Sequence, residues 1–195
     1  MSYPLTLRFR ILAVARQLAV RDSQERLLMY VKQKAFKLKE AITVFADEEQ
    51  THPLYRIGAD RVIDFSATYT ITDRDGGYVG AVRQKGMRSL WRSTYEIVRG
   101  GDVIFTVTEE NPWAKVGNSI FEGIPVIGAL SGYVFHPSYL VTASGRGATL
   151  RVRKEAAFLE SVFRAERLDA QLSADDERLL LIGMVTTVLL ERRRG

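Results

Sequence analysis

LLLIGMVTTVLL, residues 179–190, is apolar around its whole circumference and follows a chain that otherwise reads almost entirely as β-strands. A helix apolar on every face has to be surrounded. Twelve residues at ~1.5 Å rise make a rod of ~18 Å, well short of the ~30 Å hydrocarbon core of a bilayer, so the expected surroundings are protein. The flanks agree. Ser173, three residues ahead of Asp176, approximates a capping box; Asp175, Asp176 and Glu177 place negative charge at the positive end of the helix dipole, and Arg192, Arg193 and Arg194 place positive charge at the other. The pattern predicts a helix over about 174–192. Each buried Leu, Ile, Val or Met contributes ~1.5–3 kcal/mol, so a run this apolar belongs to the core and is no appendage. Gly183, lacking a side chain in so bulky a run, points to close approach of a neighbouring strand.

Upstream, strand, turn, strand recurs. Residues 17–21 and 27–33 flank a polar turn, as do 42–46 and 54–57, 67–72 and 78–84, 93–98 and 103–108, and 139–143 and 149–153. The turns are rich in Gly and Asp, which reach positive φ or satisfy their own backbone, as tight hairpins require. Hairpins beginning near residues 17, 42, 67, 93 and 138 form a loose repeat, interrupted by an insertion at 111–136 in which Pro and Gly break apolar stretches. At the N-terminus Leu5, Leu7, Phe9 and Ile11 alternate with Thr6, Arg8 and Arg10, the period of a half-buried strand and not of an amphipathic targeting helix. A further run at 158–168 brings the expected number of strands to about twelve. The fold expected is mainly β: one domain over 1–195, a barrel of consecutive hairpins closed around the C-terminal helix.

Composition limits the chemistry. The chain has no cysteine, which excludes disulfides, thiolate metal sites and cysteine nucleophiles and fits a reducing cytosol. Its net charge of +5 tilts the expectation toward anionic partners. Only His52 and His136 could act as acid–base groups near neutrality, and each stands beside a proline in a turn or at a strand start. Asp73, Asp75 and Gly76 begin like an EF-hand loop, but its twelfth position is Gln84 where a bidentate Glu is required, so a hairpin turn is expected. Asp47, Glu48, Glu49 and His52 read as a solvated loop in preference to a metal site. No catalytic residue, metal or cofactor is assigned.

Two basic stretches stand out. Lys32, Lys34, Lys37 and Lys39 surround Phe36, and Arg83, Lys85, Arg88 and Arg92 surround Met87 and Trp91. Cations beside protruding apolar groups suit an anionic bilayer surface or a stacked nucleic-acid strand. Both stretches connect successive hairpins, so their eight cations are candidates for one ligand-binding rim at one end of the barrel.

The run 17–98, together with GYVFHPSYLVTAS at 132–144 and the apolar last helix, resembles the LURP-one-related family, which belongs with the Tubby C-terminal domains and the phospholipid scramblases. The resemblance implies a twelve-stranded barrel around a central hydrophobic helix. It implies no particular site residue. The chain has neither an acidic loop beside its last helix nor a cysteine cluster of the scramblase kind, so lipid scrambling ranks last. The expected function is a non-enzymatic module that binds an anionic phospholipid or other anionic or hydrophobic ligand. A nucleic-acid-binding or protein-interaction module using the same basic rim is the alternative. A cytoplasmic location is expected, with peripheral membrane association left open.

Overall fold

The computed structural model describes residues 1–11, 16–33, 41–59, 67–85, 94–110, 138–157 and 160–194. Twelve strands run in chain order: β1 (Leu5–Ile11), β2 (Arg16–Arg21), β3 (Leu27–Gln33), β4 (Ile42–Phe45), β5 (Pro53–Ala59), β6 (Thr68–Asp73), β7 (Tyr78–Lys85), β8 (Thr94–Arg99), β9 (Asp102–Glu109), β10 (Ser138–Ala143), β11 (Gly147–Glu155) and β12 (Glu160–Arg167). Each pairs antiparallel with its sequence neighbours, and β1 pairs with β12 to close the barrel. Closure leaves no strand of the described residues without a neighbour on each side, β3 and β4 being joined through Tyr30 and Phe45. The insertion expected at 111–136 lies outside the described residues.

The alternation of each strand decides its faces. Leu5, Leu7 and Phe9 of β1 point inward and are buried, as do Leu18 and Val20 of β2 and Ile97 of β8, whereas Arg8 and Arg10 point out. Paired residues followed once around the sheet return to β1 displaced by about twelve residues, a stagger that goes with strands tilted by roughly 35–45°. Twelve strands ~4.8 Å apart at that tilt enclose a radius of roughly 11–12 Å. A helix with its side chains takes up ~5–6 Å of this, leaving space for one layer of strand side chains.

That helix is α1 (Ala174–Arg194). Every residue from 179 to 190 is buried. Most of the strands have six to eight residues, ~20–27 Å, and when tilted span roughly 16–20 Å along the barrel axis, which matches the ~18 Å of the apolar stretch. Thr186 and Thr187, the two polar residues of this stretch, donate their hydroxyls to the carbonyls of Ile182 (2.8 Å) and Gly183 (3.0 Å), one turn back. The helix lies closest to β7 and β8. Two glycines permit this approach. A Cβ on Gly183 would come within 2.5 Å of Ile97 Cδ1 of β8, and one on Gly80 of β7 would meet Leu179 Cδ1 at 2.6 Å and the Val98 carbonyl at 2.7 Å.

The first turn of α1 is fastened to the barrel. Ser173 Oγ accepts the Asp176 N–H at 3.1 Å, as an N-cap should. The return half of the expected capping box is replaced: the Asp176 carboxylate accepts from Arg99 at the end of β8 (3.1 Å), and Glu177 pairs with Arg167 at the end of β12 (3.2 Å). Arg167 also lies over the Tyr3 ring, 5.7 Å from its centroid. Burial and the neighbouring Glu177 carboxylate raise the pKa of the Tyr3 hydroxyl far above its usual range.

Candidate functional site

Antiparallel order assigns every connection to one of two ends. The links after β2, β4, β6, β8, β10 and β12 turn at the end where α1 enters. The links after β1, β3, β5, β7, β9 and β11 leave from the opposite end, here called the rim. Both basic connections expected to carry ligand therefore depart from the same end.

At the turn end the carboxylates are engaged by their own loops. Asp22 accepts from the backbone N–H groups of Gln24 (2.9 Å) and Arg26 (3.1 Å) and from the Arg26 guanidinium (2.6 and 2.9 Å). The Arg26 hydrogen bonds hold its pKa down at about 2 despite burial. Asp47 accepts from the Thr51 hydroxyl, from the Thr51 and His52 N–H groups (3.1 Å each) and faces His52 Nδ1 (3.0 Å). These bonds, the Thr51 hydroxyl first, push its carboxyl well below the usual range. His52 Nδ1 is thus occupied by the turn. Glu48 of the same loop is paired with Arg21 at 2.6 Å. Asp73 accepts from Asp75 N–H (3.0 Å) and Gly77 N–H (2.7 Å), making the hairpin turn expected in place of a calcium loop. Among the described residues no group of three such side chains is placed to hold a metal ion. A pocket of about 100 Å³ lies here, lined by Phe105, Ala143, Arg146, Leu172 and Asp176 among others, too small for a lipid chain.

At the rim, Lys32, Arg83 and Lys85 are the described members of the expected ligand set; Lys34, Lys37, Lys39, Arg88 and Arg92 lie outside the described residues, as do Phe36, Trp91 and His136. All three described cations point outward, because Val31 and Val82 beside them face the core; Lys32 and Lys85 stand near the rim ends of β3 and β7, while Arg83 reaches toward the turn-end hairpin after β8. Lys32 is exposed. Lys85 is exposed and paired with Glu96 on β8 at 2.5 Å, while Arg83 donates to the Gly101 carbonyl at 3.2 Å. Lys32 and Lys85 lie four strands apart, ~19 Å around the sheet. They share an end and stand on different parts of its circumference.

A second basic group lies on the outer wall. β12 pairs with both β1 and β11, and their alternation places Arg8, Arg10, Arg151, Arg153 and Arg164 outside. Glu160 takes Arg10 (2.8 Å) and Arg8 (3.4 Å), Glu110 takes Arg151 (3.3 Å), and Glu166 stands 3.9 Å from Arg153. The signal was present in sequence as R-x-R spacing at Arg8/Arg10 and Arg151/Arg153, which puts both members of each pair on one face of a strand. That the two pairs come together depends on closure between the first strand and the last.

With closed barrel, filled lumen and hairpin order established, a sequence model of the LURP-one-related family matches residues 27–167. The chain belongs to this family. The match runs from β3 to β12, so the LURP-one-related segment contributes ten strands while β1, β2 and α1 lie outside it. No curated protein and no solved structure matches the chain significantly. Among the described residues no helix is long and apolar enough to cross a membrane.

Proposed function

We propose that this LURP-one-related barrel is a non-catalytic binding module that recognises anionic phospholipid headgroups through cations at its rim. The observation that carries this reading is the filled lumen. Residues 179–190 occupy the interior, and even a methyl group at Gly80 or Gly183 would meet neighbours closer than 3 Å, so an acyl chain has no space beside the helix. Recognition is then a matter for the outer surface. There Lys32 and Lys85 are exposed at the end from which both basic connections depart. A cation near an anionic surface contributes ~1 kcal/mol, so a few suffice for weak, reversible attachment to a cytoplasmic leaflet.

The test is co-sedimentation of the full chain with phosphatidylserine-containing vesicles across a salt series, with double-stranded DNA in parallel. Lys32→Glu combined with Lys85→Gln is expected to weaken vesicle binding about tenfold or more at low salt, since three units of charge are removed. Unchanged binding by the folded double variant overturns the rim reading. Preference for DNA, with affinity falling steeply as salt rises, moves the assignment to nucleic acid.

A further inference from the structure

We infer that the outer wall formed by β1, β12 and β11 carries an oxyanion site for a phosphate monoester, centred on Arg164. The site is separate from the rim and does not rest on the reading proposed for it.

Register supplies the first argument. Arg164 of β12 stands directly opposite Arg153 of β11 and opposite Thr6 of β1. Directly opposed residues hold their Cβ atoms ~4.5–5.5 Å apart, and like charges in that relation destabilise a sheet. Arg8 and Arg151 occupy diagonal positions next to Arg164, because Arg8 is paired with Val162 and Arg151 with Glu166. Arg153 and Arg164 are therefore directly opposed, with Arg8 and Arg151 at the two diagonal positions.

The acids nearby do not resolve this crowding. Arg8 and Arg10 share Glu160, Arg151 has Glu110, and Arg153 has Glu166 at the long limit of an ion pair, 3.9 Å. Glu155 is also diagonal to Arg164 yet forms no ion pair with it. Arg164 is exposed and, among the described residues, has no ion-pair partner. A second, independent observation falls at the same place. Among the described residues Arg151 Nε, diagonal to Arg164, is a buried nitrogen without a hydrogen-bond acceptor, whereas Arg8 Nε on the other diagonal faces Glu160 at 3.4 Å in a geometry that makes no hydrogen bond. A buried donor without an acceptor costs free energy, and an anion seated between Arg164 and Arg151 would supply the missing acceptor.

The chemistry selects the ligand. All four cations are arginines, whose planar forks grip tetrahedral oxyanions with paired hydrogen bonds in a way lysine cannot. With Arg10, which shares Glu160 with Arg8, the wall holds five arginines against Glu110, Glu155, Glu160 and Glu166, an excess of one positive charge that suits one compact anion and works against a long polyanion lying across the wall. Inorganic phosphate, a soluble phosphate ester and the monoester headgroup of phosphatidic acid share this chemistry.

The experiment reads thermal stability and binding of the full chain against inorganic phosphate, with chloride at equal ionic strength as reference. Arg164→Gln and Arg153→Gln are compared with Arg56→Gln, which alters an exposed arginine of β5 far from the wall. Phosphate should raise the melting temperature of the wild type and of Arg56→Gln more than chloride does. Arg164→Gln should melt no lower than the wild type without phosphate, because it relieves a like-charge pair, and its affinity for phosphate should fall about tenfold. Glycerol phosphate and vesicles of phosphatidic acid, against vesicles of phosphatidylserine at matched charge, then identify the source: binding to the soluble ester marks a free metabolite, and binding only to phosphatidic acid marks a lipid. Equal responses to phosphate and chloride, an Arg164→Gln variant as responsive as the wild type, or binding confined to DNA would each overturn the site.

Discussion

At the turn end of the barrel, carboxylates face backbone N–H groups and arginines reach the first turn of α1; at the rim, Lys32 and Lys85 stand at strand ends in water. The positive φ values among the described residues collect at the turn end, with Glu25, Gln50, Gly76 and the Gly100–Gly101 pair all in its hairpins. Asp22, Asp47 and Asp73 each organise one of these turns, and Arg99 and Arg167 fasten the helix. One end of the molecule thus holds the helix in place, and Asp22, Asp47, Asp73, Arg99 and Arg167 are engaged in its turns and in the helix cap. At the other end Lys85 is tied to Glu96, whereas Lys32 contributes little to the fold, and that leaves it open to selection for binding. Mutations at the two ends should accordingly differ in kind.

The largest effect should come from removing what the turn end holds. Deleting 173–195 takes away every residue that fills the lumen and exposes the inner faces of twelve strands. The product should lack a cooperative thermal transition and bind hydrophobic dyes. A sharp melt for this truncation would show that the barrel is stable when empty. A smaller change separates the two glycines that let the helix approach. Gly80→Ala should destabilise by ~1–3 kcal/mol, because the new methyl meets the Val98 backbone carbonyl, which cannot move aside. Gly183→Ala meets the Ile97 side chain at Cδ1, Cγ1 and Cγ2 (2.5, 2.9 and 3.2 Å) but no backbone, and ~1 kcal/mol of helix propensity offsets part of the clash, so it should destabilise less than Gly80→Ala. Urea denaturation of the two variants checks the ordering; if Gly183→Ala is the more harmful, the helix sits nearer β8 than described.

The cap is next in size. Ser173→Ala leaves the Asp176 N–H without its acceptor and should cost about 1 kcal/mol, while Ser173→Asp should recover most of the loss. An equal loss for both substitutions would assign Ser173 some role other than capping.

Much of this architecture is legible in sequence. Alternation in LTLRFRI and the Gly–Asp turns placed the strands to within a few residues, and the all-apolar run at 179–190 placed the helix inside, because period and apolarity are local properties. Gly183 was expected to meet a strand and meets the Ile97 side chain of β8. What sequence does not show is which strands become neighbours. Lys85 reads as a free rim cation until β8 brings Glu96 beside it, and Arg8 reads as an ordinary outward residue until β12, some 150 positions away, brings Arg164 within a diagonal. Side chains whose meaning depends on a partner across the sheet escape a reading made one strand at a time.

Acid separates the ends without mutation. Asp22 titrates at about 2 in the fold and near 3.9 when unfolded, so its folded pKa is depressed. Its contribution is fully present above about pH 4 and fades as pH falls from there toward 2. Asp47, depressed in the same direction, adds to the loss over the same range. The wild type should hold a constant melting temperature from pH 7 to about 5 and lose stability progressively below about 4. Asp22→Asn should be less stable at neutral pH and show a shallower acid limb. Parallel acid limbs for the two proteins would remove Asp22 from the account.

The smallest expected effect is the one that completes the contrast. Lys32 is exposed at the rim end of β3 and forms no ion pair among the described residues, and a surface residue of that kind usually changes stability by no more than ~0.5 kcal/mol when replaced. Lys32→Glu should therefore melt within about a degree or two of the wild type while reversing a charge at the end proposed to meet an anionic surface. A near-silent melt combined with weakened vesicle binding would assign Lys32 to recognition alone. A loss of stability comparable to that of Ser173→Ala would mean that the rim, like the turn end, is engaged in holding the barrel together, and the division between the two ends would fail.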